Sequence, residues 1–227
     1  MPTLYRRKIS AGFGNPVTAD PYTQPRPKPL KRPHQARARF TVQAIYDAFV
    51  RIWHAHGWRG VTTRAVALET GISIGTLYDY FPNKEALLSG YVRHCMDALL
   101  AAIEMQVIRP AGLAWKERLR RLVELTAAFH VPELPYFDAE MLKLESLVAE
   151  SKHHQRVFDE LSGKWLTAVN SCTDLPCRPD AIDVRSLFAT VWGGKRYLLL
   201  LDADASFASS WKDDIERICI ARFEDER

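Results

Sequence analysis

The chain has 227 residues, 47% of them hydrophobic and 26% charged, enough for a sizeable core in one medium domain or a small domain joined to a larger one. No apolar run approaches the roughly 20 residues of a membrane-spanning helix, and the first residues lack the apolar stretch of a secretory signal, so no membrane partner and a cytoplasmic location are expected. Four scattered cysteines (Cys95, Cys172, Cys177, Cys219) are too few for a disulfide framework and lack the CxxC spacing of a zinc site, so they read as reduced thiols. The net charge of +4 divides unevenly. Residues 1–90 hold 13 Lys/Arg against 5 Asp/Glu, a balance of +8, and residues 91–227 hold 18 against 22, a balance of −4. The basic end is the expected contact for a polyanion.

In chain order, residues 1–36 contain seven of the thirteen prolines and no apolar period. The run Pro25-Arg26-Pro27-Lys28-Pro29-Leu30-Lys31-Arg32-Pro33 favours an extended, solvated conformation, because each proline fixes φ and removes a donor. A disordered basic arm is expected there. From Arg37 the pattern changes: Ile45, Ala48, Phe49, Ile52 and His56 follow the i, i+3, i+4, i+7 spacing of a helix that Gly57 stops. Thr62 is placed to cap a second helix with Val66, Ala67 and Thr70 inward, ended by Gly71. A third, short helix is predicted from about Ser73 to Tyr80, because Pro82 biases the residue before it away from α. Asn83 then caps a fourth. Further helical periods run near 84–107, 114–130, 136–150, 154–171, 180–202 and 207–223, broken by prolines or by the stretch Cys172 to Pro179. Nothing reads as a strand, and no internal repeat is visible.

Two helices joined by a tight glycine turn, with the second short and outwardly polar, are what a helix-turn-helix requires. Gly71 supplies the left-handed residue at little cost, while Ile72, Leu77 and Phe81 plug the short helix onto the two before it. Ser73, Thr76 and Tyr80 stand at i, i+3 and i+7, so they share one face and offer hydroxyls to phosphates or base edges. Gly75 lets the backbone approach a duplex. Lys84 lies at the N-terminus of the fourth helix, beside exposed N–H groups. A lysine is unfavourable there on dipole grounds unless an anion occupies the spot. Some of these residues admit a plainer reading. Tyr78 is either a contact or a core aromatic, Thr62 and Thr63 either touch phosphate or only cap, and Ser73 is at least a cap.

The segment from Gly57 to Leu88 resembles the DNA-binding signature of the TetR family. The resemblance is carried by Val66-Ala67, Gly71-Ile72-Ser73, Gly75-Thr76-Leu77-Tyr78, Tyr80-Phe81 and Lys84-Glu85-Ala86-Leu87, and it covers about 50 residues. It implies an all-α protein: an N-terminal three-helix helix-turn-helix domain (37–90, motif about 62–81) after the arm (1–36), then a helical ligand-binding and dimerisation domain (91–227). It implies a transcriptional repressor that binds a palindromic operator in double-stranded DNA as a homodimer and answers to a small-molecule effector. On that likeness the DNA-contacting residues are Thr62, Thr63, Arg64, Ser73, Ile74, Gly75, Thr76, Tyr78, Asp79, Tyr80 and Lys84. Two positions depart from the family's habit: Ile74, where a lysine or other polar residue is common, and Asp79, where His, Arg or an aromatic is common. Both bear on which operator is read.

The last two long helices are the expected dimer interface, through Leu187, Val191, Tyr197, Leu198 and Leu201 on one and Phe207, Trp211, Ile215, Ile218 and Phe223 on the other, with Gly193-Gly194 permitting close approach. An effector cavity would be sought among Trp115, Phe129, Tyr136, Phe137, Met141, Phe158, Trp165 and Trp192, though no lining residue is fixed by sequence. An enzyme is the rival class. Glu150 and His153 have the E-x-x-H spacing of half a di-iron site, with His154 following, but no second pair exists and a helix start explains them better. No GxSxG, Walker loop, dinucleotide fingerprint or HExxH is present. No catalytic residue, metal or cofactor is expected.

Overall fold

The fold is given by a computed structural model that describes residues 36–224; the expected arm, up to residue 35, and the last three residues lie outside the described residues. Among the described residues every regular element is helical: α1 (Ala36–Gly60), α2 (Thr63–Thr70), α3 (Ile74–Tyr78), α4 (Lys84–Ile103), α5 (Trp115–Ala127), α6 (Ala139–Val148), α7 (Ser151–Asn170), α8 (Ala181–Leu200) and α9 (Ala205–Glu224). The protein is all-α, as the periodicity predicts.

Helix α1 buries Val42, Ile45, Phe49, Ile52 and Trp53. His56, expected on this face, is exposed instead. The inward stripe ends at Trp53, and Gly57 takes φ 60°, breaking the helix before a last turn. Thr62 caps α2 by accepting from the Ala65 N–H at 3.0 Å. Gly71 ends α2 in the left-handed region at φ 74° and turns the chain into α3. Helix α3 is shorter than the predicted 73–80. The N–H groups of Tyr80 and Phe81 both bond the Leu77 carbonyl as the chain tightens before Pro82. Asn83 Oδ1 then accepts from the Ala86 N–H at 2.7 Å and starts α4.

Two apolar cores result. The first joins α1, α2 and α3 through Ile45, Phe49, Val66, Leu77 and Phe81, and takes Leu87, Leu88, Tyr91 and Cys95 from α4 and Met141 and Val148 from α6. The second gathers Trp115, Leu122, Trp165, Phe188, Val191, Ile215 and Phe223 from α5, α7, α8 and α9, with Leu99 and Ile103 from the other end of α4. Helix α4 therefore belongs to both. It runs on into a π-helical turn, Glu104–Ile108. There the buried Arg118 of α5 donates to the carbonyls of Val107, Ile108 (3.2 Å) and Pro110 (3.1 Å), satisfying acceptors that a helix end leaves open. By length and composition the span Lys84–Ile108 could cross a membrane. Leu87, Leu88, Tyr91, Leu99, Ile103 and Val107 of that span are, however, buried in the two cores, while Met105 is exposed.

Helix α7 starts at Ser151, three residues before the predicted 154. Glu150 and His153 form its cap, the Glu150 N–H donating to His153 Nδ1 at 2.9 Å. The E-x-x-H spacing thus serves a helix start. No group of three or more potential ligands with metal-binding geometry occurs among the described residues.

Candidate DNA interface and effector cavity

The helix-turn-helix presents a polar outer face. Ser73 caps α3 by accepting from the Thr76 N–H at 3.0 Å, and its hydroxyl lies 2.8 Å from Thr76 Oγ1. Both hydroxyls face outward on the same turn, so capping and outward presentation are compatible. A Cβ at Gly75 would meet only Ser73 Oγ, at 3.7 Å, so nothing inside the chain demands glycine there. Tyr78 is 45% exposed, which removes the reading of it as a core aromatic. Its hydroxyl lies 3.3 Å from Thr63 Oγ1, linking the outer faces of α2 and α3. Tyr80, which the sequence places on the helix, sits half-buried in the turn after it, against Phe81. Arg64, Ile74 and Asp79 are exposed. Arg51 and Glu69 pair at 2.6 Å and tie α1 to α2.

Lys84 has a structural partner that the sequence did not announce. Its ammonium stands 4.1 Å from the centre of the Trp58 ring and 3.5 Å from the Trp58 carbonyl oxygen. A cation over an aromatic face offsets part of the dipole penalty. Trp58 thus holds the charge in place at the start of α4, beside the anion the sequence reading places there.

A cavity of about 600 Å³ opens between α4, α5, α7, α8 and the loop that joins α5 to α6, within the 300–1,000 Å³ usual for small-molecule sites. Val92, Met96, Leu99, Leu125, Val131 and Leu134 make much of the wall. Of the aromatics proposed from sequence, Phe129, Tyr136, Phe137, Phe158 and Trp192 line it. Trp115, Met141 and Trp165 do not; all three are buried in the cores. Large aromatics at helical spacing fill a core as readily as a pocket, and the sequence does not separate the two.

Polar groups gather on one part of the wall. Glu145 of α6, 7% exposed, pairs with Arg196 of α8 at 2.5 Å and approaches His154 Nδ1 of α7 at 3.7 Å. Lys195 also lines the cavity, with its ammonium 5.8 Å from the centre of the Trp192 ring. Burial pushes its pKa down to about 8. Cys95 lines the cavity too, and burial pushes its thiol up to about 12, so it is an inert wall group.

The segment 135–138 joins this cavity to the helix-turn-helix. The Tyr136 carbonyl accepts from the Tyr91 hydroxyl of α4 at 2.6 Å. The Tyr136 hydroxyl donates to Asp138 at 3.0 Å. Burial and that carboxylate raise the Tyr136 phenol to about 12. Asp138 caps α6 through the Met141 N–H at 2.8 Å. The Tyr136 ring also packs on His54 of α1, with ring centres 4.2 Å apart.

The sequence profile of bacterial regulatory proteins of the tetR family matches residues 45–90, which run from α1 into α4. No curated protein matches the chain. Among solved structures, a TetR transcription regulator from Haloarcula marismortui superposes with TM-score 0.60 at 18% identity, over 79% of this chain and 96% of that one. The TetR family repressor AlkX from Dietzia sp., implicated in biodegradation of n-alkanes, does so with TM-score 0.53 at 17% identity, over 82% and 99%. The transcriptional regulator FadR from Bacillus subtilis, solved with stearoyl-CoA, gives 0.51 at 18% identity, over 78% and 97%. At these identities the structures establish the fold, and the profile establishes the segment. Residues 45–90 thus match the sequence profile of the tetR family of bacterial regulatory proteins, within an all-α fold shared with solved TetR-family regulators.

Proposed function

We propose that the protein is a ligand-responsive repressor that works in the cytoplasm as a homodimer, binds a palindromic operator, and releases it when a small molecule fills the cavity. The observation that carries this reading is the tie between the two sites: one loop, 135–138, bounds the cavity and is hydrogen-bonded to both α1 and α4 of the DNA-binding end. In this reading the arm (1–36) adds phosphate contacts, residues 37–90 read DNA, and residues 91–227 sense and dimerise. Thr62, Thr63, Arg64, Ser73, Ile74, Gly75, Thr76, Tyr78, Asp79, Tyr80 and Lys84 meet the duplex. Recognition helices of the two protomers would enter successive major grooves about 34 Å apart.

Apolar side chains left in solvent on α8 and α9 support the dimer. Ile182, Tyr197, Leu200, Leu201, Phe207 and Ile218 are all exposed, while Val191, Leu198, Ile215 and Phe223 serve the protomer's own core. Exposed apolar patches of this kind mark protein interfaces, and an isologous pairing would cover both copies at once. A largely apolar cavity favours an effector with an apolar body, in keeping with the neighbours described with stearoyl-CoA and with n-alkane breakdown.

The test is selection of bound duplexes from a random pool, with light scattering on the free protein. A two-fold symmetric consensus and a dimer at micromolar concentration are expected. A monomer, or no enriched sequence, overturns the reading.

A further inference from the structure

Charge on the cavity wall is unbalanced in a way that specifies a ligand. Two side chains of the wall are cationic, Lys195 and Arg196, and one is anionic, Glu145. Arg196 and Glu145 neutralise each other at 2.5 Å. That leaves Lys195, which makes no hydrogen bond or ion pair among the described residues and whose ammonium stands 5.8 Å from the Trp192 ring centre. A half-buried lysine held this way is a cost to the free protein, because burial disfavours the charged form, and its lowered pKa reports that cost. The rest of the wall is mainly apolar.

We propose that the cavity binds a monocarboxylate with an apolar body, and that Lys195 is the residue that receives the carboxylate. The inference rests on the reading of the cavity as the effector site. The imbalance is a single positive charge, so a monoanion completes the wall. A dianion would leave one charge uncompensated beside the carboxylate of Glu145. The side chains of Trp192 and Arg196, the latter with its guanidinium carbon 6.0 Å from the Trp192 ring centre, stand on the same helix and fix the place where charge is tolerated. Elsewhere Met96, Leu99, Val131 and Phe158 offer only apolar surface to the ligand's body.

The test compares dodecanoate, 1-dodecanol and dodecanoyl-CoA by titration calorimetry against the full-length protein, its Lys195→Met variant and its Lys195→Arg variant. Charge-assisted hydrogen bonds in a partly dry site predict that dodecanoate binds the parent about ten- to a hundredfold more tightly than the alcohol. Lys195→Met should bring the two probes to equal affinity, and Lys195→Arg should keep most of the preference. Lys195→Met also removes an unpaired charge, so it folds at least as well as the parent, which its melting temperature checks. Equal binding of acid and alcohol by the parent, an unchanged preference in Lys195→Met, or binding of the CoA thioester alone overturns the assignment. Binding of the alcohol with release of DNA would sink only the carboxylate, whereas failure of every probe alongside failure to bind any operator would sink the regulator reading itself.

Discussion

Trp53 of α1 donates its indole hydrogen to Asp138 Oδ2, 85 residues further along the chain, at 2.7 Å. The same carboxylate accepts from the Tyr136 hydroxyl and caps α6. A side chain on α1, the helix that packs against α2, thus shares an acceptor with Tyr136 of the cavity wall. Any ligand that moves the Tyr136 ring changes the position of that acceptor. Trp53→Phe keeps most of the buried aromatic and removes only the donor. It should leave operator affinity in the absence of ligand within a fewfold of the parent while reducing the ligand-induced change in affinity, measured by gel shift with and without effector. Asp138→Ala should be harsher, because it also removes the α6 cap and strands a buried indole N–H; a loss of about 2 kcal/mol in denaturant unfolding is expected. Full ligand response in Trp53→Phe would show that the signal travels elsewhere.

Asp79 sits at the C-terminal end of α3 and is exposed. A carboxylate among phosphates is repelled, so if α3 enters the groove as proposed, Asp79 must reach a base donor, pair with a basic neighbour or sit off the contact face, and cytosine N4 is the natural donor in the major groove. Asp79→Ala should tighten binding to arbitrary duplex and relax discrimination at one base pair by about 1–3 kcal/mol. If the variant keeps the parent's preference at every operator position with unaltered affinity, Asp79 is a solvated residue and nothing more.

At the adjoining glycines of α8, the two neighbours differ. A Cβ on Gly194 would lie 2.5 Å from Trp211 Cζ2 of α9, whereas one on Gly193 meets nothing within 4 Å. Gly194→Ala should therefore destabilise the protomer by about 1–3 kcal/mol through overpacking. Tyr197→Asp and Ile218→Asp, changed at side chains that solvent already reaches, should leave the helical content intact and shift the mass in light scattering from dimer to monomer. Dimers that survive both charges would place the interface on another surface.

The lowered Lys195 pKa has two consequences of fixed sign. The unfolded lysine titrates near 10.5 and the folded one near 8, so between those values the unfolded state holds more protons and stability rises with pH. Carboxylate binding needs the ammonium, so dodecanoate affinity should fall as pH rises through about 8. Sharing the wall are Glu145 on α6, His154 on α7, Arg196 on α8 and His130 in the loop after α5, besides the Cys95 thiol and the Tyr136 phenol, both pushed up to about 12 and so neutral over this range. Lys195→Met keeps all of these and serves as the control: its dodecanoate affinity should be flat from pH 7 to 9. A slope that persists in that variant would assign the dependence to one of the others.

The DNA-binding end was legible in the sequence because its constraints are local. Thr62, Gly71 and Asn83 each act on residues within four positions, and all three sit in the caps and turns expected of them. Leu77 and Phe81 plug the first core as the motif requires. The body was legible only as a set of helices. Whether Trp165 fills a core and Trp192 faces a cavity depends on how α7 and α8 meet, which no periodicity encodes. Lys195 went unremarked for the same reason. A lysine on an apolar helix usually reaches water, and only the packing of α8 against α6 and α7 turns it inward. Tyr136 was named as an aromatic, yet the long-range bonds that make it a junction join residues 41 to 85 positions apart in sequence.

Helix α4 gives Leu87, Leu88 and Tyr91 to one core and Leu99 and Ile103 to the other, and the π-helical turn that continues it adds Val107. A reading head and a sensing body joined by a flexible linker could melt one after the other. Here the head cannot leave without stripping the cover from three large apolar side chains on a helix that the body still holds, at roughly 1.5–3 kcal/mol for each. Calorimetry should accordingly record a single endotherm whose van't Hoff and measured enthalpies agree for the protomer, not two separable peaks. In the proposed reading the same rigidity bounds what a ligand can do: it would release DNA by moving the first three helices and α4 together rather than by unfolding them.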